Sequence, residues 1–502
     1  MPELYLVALM KKLVFLLLLA GAARQAMAQP APPPAYDPAA RHPAAQLRAD
    51  LAYARRALEE AHPALYWYTP KDSLDRAFAR AEAVLTHPMA EPECWRLFQQ
   101  LLVRVRCGHT RVQHSAAYRS WFRQQPHPYL PFTVAVRQNR LFIAENQSAA
   151  AELRPGTEIL AIDGHPTPDL LPRLRSLIAA DGYGTQLQDR ELEVGFFDEY
   201  YWNFYPSRPV YPLLLADSTG RSWELTPQPR PAAPRPAPPA APPTPAQQRT
   251  RKLERLRLVS YPDYLPGTAV LRIREFSYDE LEDYRKFHAG LFAELKRRRV
   301  RRLVLDLRGN GGGNNEITND LCKYLLKQPF YLTKSGLAPI RIPSFMQPDS
   351  TKPAYFDTTA VRRLPDGRFS KASRNIGLQQ PYPGRYFRGQ LVVLVDGGTF
   401  SAASNLTASL RAQRRLTVVG QETGGGEAGC SGGTISELEL PNTHLVLHLP
   451  HFQMLTACRQ PQLGRGVRPD LEVVPTPRQV AARIDPILPQ LLALLRRLPG
   501  KH

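Results

Sequence analysis

The spacing of apolar and polar positions changes along the chain, and the changes mark its parts. From Ala45 to Arg106, LRADLAYARRALEEAHPALYWY and ECWRLFQQLLVRVR repeat apolar residues at intervals of three and four, as one face of a helix does. This predicts a small helical domain over residues 45–125, with a helix stopping at Gly108, a residue suited to helix termination. PFTVAVRQNRLFIAEN then alternates with the period of a strand. ELRPGTEILAIDGHPT adds a turn, a buried strand and a second turn at Asp163-Gly164. Residues 131–226 thus read as a β-rich module, with 178–205 as an insertion. PQPRPAAPRPAPPAAPPTPAQQR, residues 227–249, is full of prolines that lack a donor and hold the backbone extended, as in a semi-rigid linker.

Beyond the linker, residues 250–498 alternate strand and helix: AVLRIREF, DELEDYRKFHAGLFAELKRRR, RRLVLDL, NEITNDLCKYLL, LVVLVDG, SAASNLTASLRAQ and LTVVG. Such alternation predicts an α/β core with right-handed crossovers around a largely parallel sheet. A site is then expected in the loops after the C-terminal strand ends. TISELEL and HLVLHLP read as a hairpin, and a last helix is expected from about Arg478 to Leu498.

The N-terminus has a different character. Lys11 and Lys12 precede an apolar run from Leu13 to Ala23, followed by Ala26-Met27-Ala28, the form of a secretory signal cut after Ala28. Residues 1–28 are therefore read as a signal peptide, with Met10 a candidate start and the mature chain periplasmic or secreted. The apolar run is too short to span a bilayer well, so no stable membrane span is expected after cleavage. The net charge of +20 raises nucleic acid as a partner, but the arginines are scattered and read as solvated surface. Five cysteines show no CxxC pair and no zinc-like spacing with histidine, and no nucleotide fingerprint is complete, so neither metal nor organic cofactor is implied. In an oxidising compartment Cys430 with Cys458 is the candidate disulfide.

Three loops at expected strand ends carry the candidate chemistry: RGNGGG at 308–313, DGGTFSAAS at 396–404 and GQETGGG at 420–426. Glycine runs leave backbone amides free to point at an anion. With no complete phosphate-binding frame, the remaining use of such a geometry is an oxyanion hole. Ser401 sits at a strand-to-helix turn, where it is either a helix N-cap or a nucleophile with the Ala402 N–H as one oxyanion donor. A nucleophilic serine needs a base. Among twelve histidines His109 stands out by its context after Cys107-Gly108, although spacing alone does not bring it to Ser401.

GHT at 108–110, LRPGTEILAIDG, LVLDLRGNGGG, VDGGTFSAAS, GQETGGG and GRGVRPDLEV, in this order, resemble the S41 peptidases, the family of C-terminal (tail-specific) processing proteases and the tricorn core. The resemblance implies a crotonase/ClpP-like catalytic core, a PDZ-like module at 131–226 and hydrolysis of protein or peptide substrates through an acyl-enzyme. It assigns Ser401 as nucleophile and Gly312 as the second oxyanion donor, with neighbours Gly311 and Gly313 as alternatives. One branch has a lysine in a GxxTxGK pattern, where this chain has Gly426; the tricorn-like branch uses a histidine matched by His109. Gly108 replaces that branch's serine, and Leu463 stands where its acid is expected, which leaves Glu422 as the candidate acid orienting His109. A PDZ-like module implies selection of substrate C-termini by strand addition. The alternative is a non-catalytic peptide- or lipid-binding protein on the same scaffold.

Overall fold

The computed structural model describes residues 35–205, 208–230, 257–276, 281–346, 361–482 and 484–497. The signal-like segment 1–28 and residues 231–249 of the proline-rich stretch lie outside the described residues. The chain divides into two units. In the smaller, which takes in Ala116–Gln125 and the residues up to Pro38, a helix spans Ala116–Phe122 and the Tyr36 ring stands edge-on to Tyr118 at 5.1 Å. The larger, Ala39–Ser115 with Pro126–His502, contains the candidate site.

At the centre of the larger unit is the parallel sheet that the strand–helix alternation predicts. Its strands run in the order 471–472, 417–420, 390–395, 302–306, 268–273 and 257–260, and only the last pair is antiparallel. Both faces are buried. Leu303, Leu305, Leu391, Val393 and Val418 pack with the helices Leu281–Arg297, Asn315–Leu325 and Ala402–Gln413. The alternate residues Val304, Val392, Leu394 and Val419 pack with Ile487 and Leu491 of the helix Ile487–Arg497. This explains why these strands read as unbroken apolar runs. Each such side chain contributes about 1.5–3 kcal/mol by leaving water.

A second, antiparallel sheet pairs Gly429–Glu439 with Val446–Thr456, the expected hairpin at greater length. The helices Ala44–Ala61, Lys71–Val84 and Glu91–Leu102 pack through Leu47, Leu58, Phe78 and Phe98 against Leu440, Leu445, Leu447 and Leu449 beside that hairpin. The helical region does not end as the sequence suggested. The helix Glu91–Leu102 gives way to a tight turn at Val103–Val105, and Arg106, at φ +60°, makes the left-handed reversal assigned to Gly108. The short strand Arg111–Gln113 follows, paired antiparallel to residues 446–448 of the hairpin. The Trp95 indole donates to the Val112 carbonyl at 2.9 Å, and Gln99 Oε1 accepts the Val112 N–H at 2.9 Å. These bonds fix the strand that leads away from His109.

The module between residues 131 and 226 is an antiparallel sheet with strands Phe132–Arg137, Arg140–Asn146, Glu158–Ile162, Leu213–Ala216 and Ser222–Leu225 in that order. Asp163 and Gly164, at φ +52° and +76°, form the tight turn read from their identities. Short helical turns from Gln186 to Trp202 cover one edge: Glu193 Oε1 accepts the Val136 N–H at 3.0 Å and Asp198 Oδ1 the Leu130 N–H at 2.7 Å.

All five cysteines are free, so the candidate bridge is absent. Cys430 pairs in register with Met454 and turns its sulfur toward Asn405, whereas Cys458 lies beyond the end of that strand.

Candidate active site

The three glycine-bearing loops follow neighbouring strands and converge because the strands are parallel and in register, Asp306 beside Leu394 and Val395 beside Gly420. Asp396 ties two of them, accepting N–H bonds from Gly309 at 2.7 Å and Gly398 at 2.9 Å. The Phe400 N–H donates to the Asn310 carbonyl at 3.0 Å, and the Gly425 N–H to the Thr399 carbonyl at 3.1 Å. The serine turn is thereby held on both sides.

Ser401 occupies the N-cap position of the helix Ala402–Gln413, but its side chain makes no capping bond. Its backbone stands at φ +50°, ψ −122°, the first central position of a type II′ turn, which glycine normally fills. An ordinary cap serine has extended backbone and an oxygen turned inward onto the helix amides. Here the oxygen turns outward: Ser401 Oγ lies 3.2 Å from His109 Nε2, although 292 positions separate the two residues. The His109 ring stacks on Phe400, centroids 4.8 Å apart. Gly108 allows this close approach, since a Cβ there would lie 2.6 Å from the Phe400 ring and the ring would have to shift.

Gly312 lies against the serine, at φ +102°, where a Cβ would come within 2.8 Å of both Ala402 N and Ser401 Cβ. Its N–H, however, donates to Asn310 Oδ1 at 2.9 Å, so Gly312 lines the turn with its amide already engaged. The amides of Ala402, Gly311 and Gly313 have no acceptor among the described residues.

Glu422 does not reach His109. Its carboxylate is held by the Arg465 guanidinium, at 3.0 Å to Oε1, and by the Gly466 N–H at 2.8 Å. It braces the third loop. His109 Nδ1 is buried and has no hydrogen-bond partner among the described residues.

The family model described as Peptidase family S41 matches residues 267–473, which span the five parallel strands, all three loops and the hairpin. Residues 267–473 are an S41 peptidase domain. The structure of mature CPAF matches with a TM-score of 0.59, at 16% identity over 90% of this chain and 96% of that chain. Mature CPAF complexed with lactacystin matches with a TM-score of 0.59, at 15% identity over 90% and 97%. At such identity the likeness is one of fold, and it extends beyond the S41 domain to the helical region and the β-rich module. A comparison with curated protein sequences found no match. The chain is thus a serine-type peptidase, with peptide or protein substrates.

One acidic residue beside His109 escaped the sequence reading. Asp181 is buried, and its Oδ1 accepts the Gly108 N–H at 2.8 Å. A carboxylate oxygen of Asp181, a ring nitrogen of His109 and the Cys107 sulfur lie within 4.8 Å of one another. Burial pushes the Asp181 carboxyl up to about 6, opposed by the Gly108 and Gly426 amides. Burial, with the Arg111 charge second, pushes His109 down to about 4, so its ring is neutral and able to accept a proton at ordinary pH. Cys107 and Cys430, both buried, are raised far enough to remain thiols. The signal for Asp181 was a single acid in the apolar stretch LIAADGYG, and only the fold brings it to Gly108.

Proposed function

We propose that the chain is an exported serine endopeptidase of the tricorn-like branch, with Ser401 as nucleophile and His109 as general base. The observation that carries this reading is the outward-turned Ser401 hydroxyl within hydrogen-bond reach of a neutral, desolvated imidazole. As Ser401 Oγ bonds to the scissile carbonyl carbon, His109 Nε2 takes the hydroxyl proton. The carbonyl oxygen becomes an oxyanion facing the Ala402 N–H and a second amide, Gly311 or Gly313. His109 then gives its proton to the leaving amine, the C–N bond breaks, and water repeats the sequence on the acyl-enzyme. Asp181 is the acid closest to replacing the one sought in Glu422: it fixes the Gly108 amide and sets a negative charge near the imidazolium as it forms.

Export rests on the lysine-led apolar run and the Ala26-Met27-Ala28 site, and no helix among the described residues is long and apolar enough to cross a membrane. Selection of substrate C-termini would use the edge strand Phe132–Arg137. The amides at Leu130 and Val136 already serve Asp198 and Glu193, and strand addition needs open amides. The partnerless His109 Nδ1 favours the second reading, a binding protein on the same scaffold.

Labelling with a fluorophosphonate, read by mass spectrometry of the modified peptide, separates the two. Modification is expected at Ser401 and is expected to be lost or greatly slowed in His109→Ala. A folded chain that takes no label at any serine would instead be the binding protein. Gly312→Ala is expected to lower kcat on the order of a hundredfold or more with KM little changed, because the added methyl displaces the Ala402 amide from the developing oxyanion. Steady-state kinetics on a peptide substrate checks this, and an increase confined to KM would exclude the role.

A further inference from the structure

A groove of about 810 Å³ runs between the helices Lys71–Val84 and Glu91–Leu102 on one side and residues between Pro172 and Gln188 on the other. That volume suits a peptide- or drug-sized ligand. Its walls carry Arg76, Arg80, Arg104, Arg106 and Arg175, and no carboxylate is among its lining residues. Two of these charges are answered from outside the lining, Arg76 by Asp72 at 2.8 Å and Arg175 by Asp189 at 2.6 Å. Arg106 donates to the Gly182 carbonyl at 3.1 Å and lies 4.8 Å from the Tyr183 ring centroid. Arg80 and Arg104 are exposed, and neither has a carboxylate partner among the described residues. The groove is therefore a concave surface with an excess of positive charge.

One end of it abuts the S41 loops. The Tyr183 hydroxyl donates to the Tyr68 carbonyl at 2.9 Å, and the Tyr68 hydroxyl lies 3.3 Å from where a Cβ on Gly426 would stand. Gly425, the preceding residue, is packed so that a Cβ would lie 3.0 Å from Ser401 N. Arg106 itself precedes Cys107-Gly108-His109 in the chain. Through Tyr68 and Gly426 the wall of the groove thus touches the third loop, which packs against the Ser401 turn.

We propose that the groove receives a stretch of the substrate rich in aspartate and glutamate, so that the enzyme prefers peptides acidic to one side of the scissile bond. This rests on the serine-peptidase reading and adds a substrate class to it. The recognition is by charge: carboxylates entering the groove find guanidinium groups not already neutralised, and the concave wall limits screening by solvent.

The test uses the full chain with Ser401→Ala, so that binding is read without turnover. A fluorescein-labelled glutamate-rich peptide and its glutamine counterpart are titrated by fluorescence anisotropy. The glutamate peptide is expected to bind on the order of tenfold tighter, with the gap narrowing as salt shortens the screening length. The gap should close when Arg80→Glu and Arg104→Glu are added, and halve with Arg80→Gln and Arg104→Gln should the charge reversal impair folding. Equal affinity for the two peptides, or a preference that survives both pairs of substitutions, overturns the groove assignment. Fluorophosphonate labelling of the unmodified chain reports separately on the serine, so failure of the groove and failure of the peptidase reading give different results.

Discussion

Ser401→Gly is expected to abolish peptide hydrolysis, by a factor on the order of 10⁴ or more in kcat, while leaving the protein more stable than the parent. The two effects have different origins, the lost hydroxyl and the relieved backbone. A side chain at φ +50°, ψ −122° is strained by roughly 1–3 kcal/mol, and glycine adopts that backbone freely. Glycine loses about 0.5–1 kcal/mol through its larger unfolded-state entropy, which leaves a net gain of about 1 kcal/mol. Ser401→Ala removes the same hydroxyl but keeps the Cβ, so it should be as inactive without the gain. Denaturant unfolding of the two variants beside the parent distinguishes them. Equal stability of the glycine and alanine variants would mean that the turn stores no strain, and residual turnover near the parent rate would remove Ser401 from the chemistry.

That strain also shows how far local sequence goes. The parallel strands were legible because Leu303 to Leu305 and Leu391 to Val395 are apolar on both faces, the pattern of a sheet covered twice. The loops were legible because Gly309, Gly397 and Gly424 concentrate at strand ends. Whether Ser401 capped a helix or faced a substrate was not legible, since both fit the same residues and only the backbone angles decide. The position of His109 was also beyond spacing: it depends on the strand Arg111–Gln113 joining the hairpin at residues 446–448, a pairing between segments over three hundred positions apart.

Gly108, Gly312 and Glu422 show the opposite fault, a correct residue given the wrong task. Gly108 reads as a helix stop because glycine often serves there. What its bare Cα admits is the Phe400 ring, which periodicity cannot reveal. Gly312 does lie at the serine, but Asn310, within the same loop, takes its amide. Glu422 was the only acid on the third loop, and Arg465, forty-three positions on, claims it. In each case the deciding partner comes from elsewhere in the chain or from a side chain whose direction only the folded backbone sets.

Asp181→Asn is expected to lower kcat on the order of a hundredfold and to change how the enzyme responds to acid. A carboxylate within 4.8 Å of the His109 ring stabilises the imidazolium by about 3 kcal/mol at an effective dielectric constant near 20, which is about that factor in rate. In the parent, the rate should fall in two stages as pH drops. The first accompanies protonation of Asp181 near 6, and the second accompanies protonation of His109 near 4. The variant should lack the first stage, because asparagine has no charge to lose while its Oδ1 can still accept the Gly108 N–H. Stability should move the other way. A carboxyl raised from 3.8 to about 6 on folding favours the folded state fully only below the unfolded value, and that contribution, about 3 kcal/mol, is lost as pH rises through the folded one. At pH 8 the buried carboxylate is therefore a cost that asparagine avoids, and the variant should melt higher than the parent there but not at pH 4. A residue that merely shaped the Gly108 turn would show the same stability difference but leave the acid limb of the rate unchanged. Identical acid limbs in parent and variant would return Asp181 to that structural role and leave His109 without an electrostatic partner.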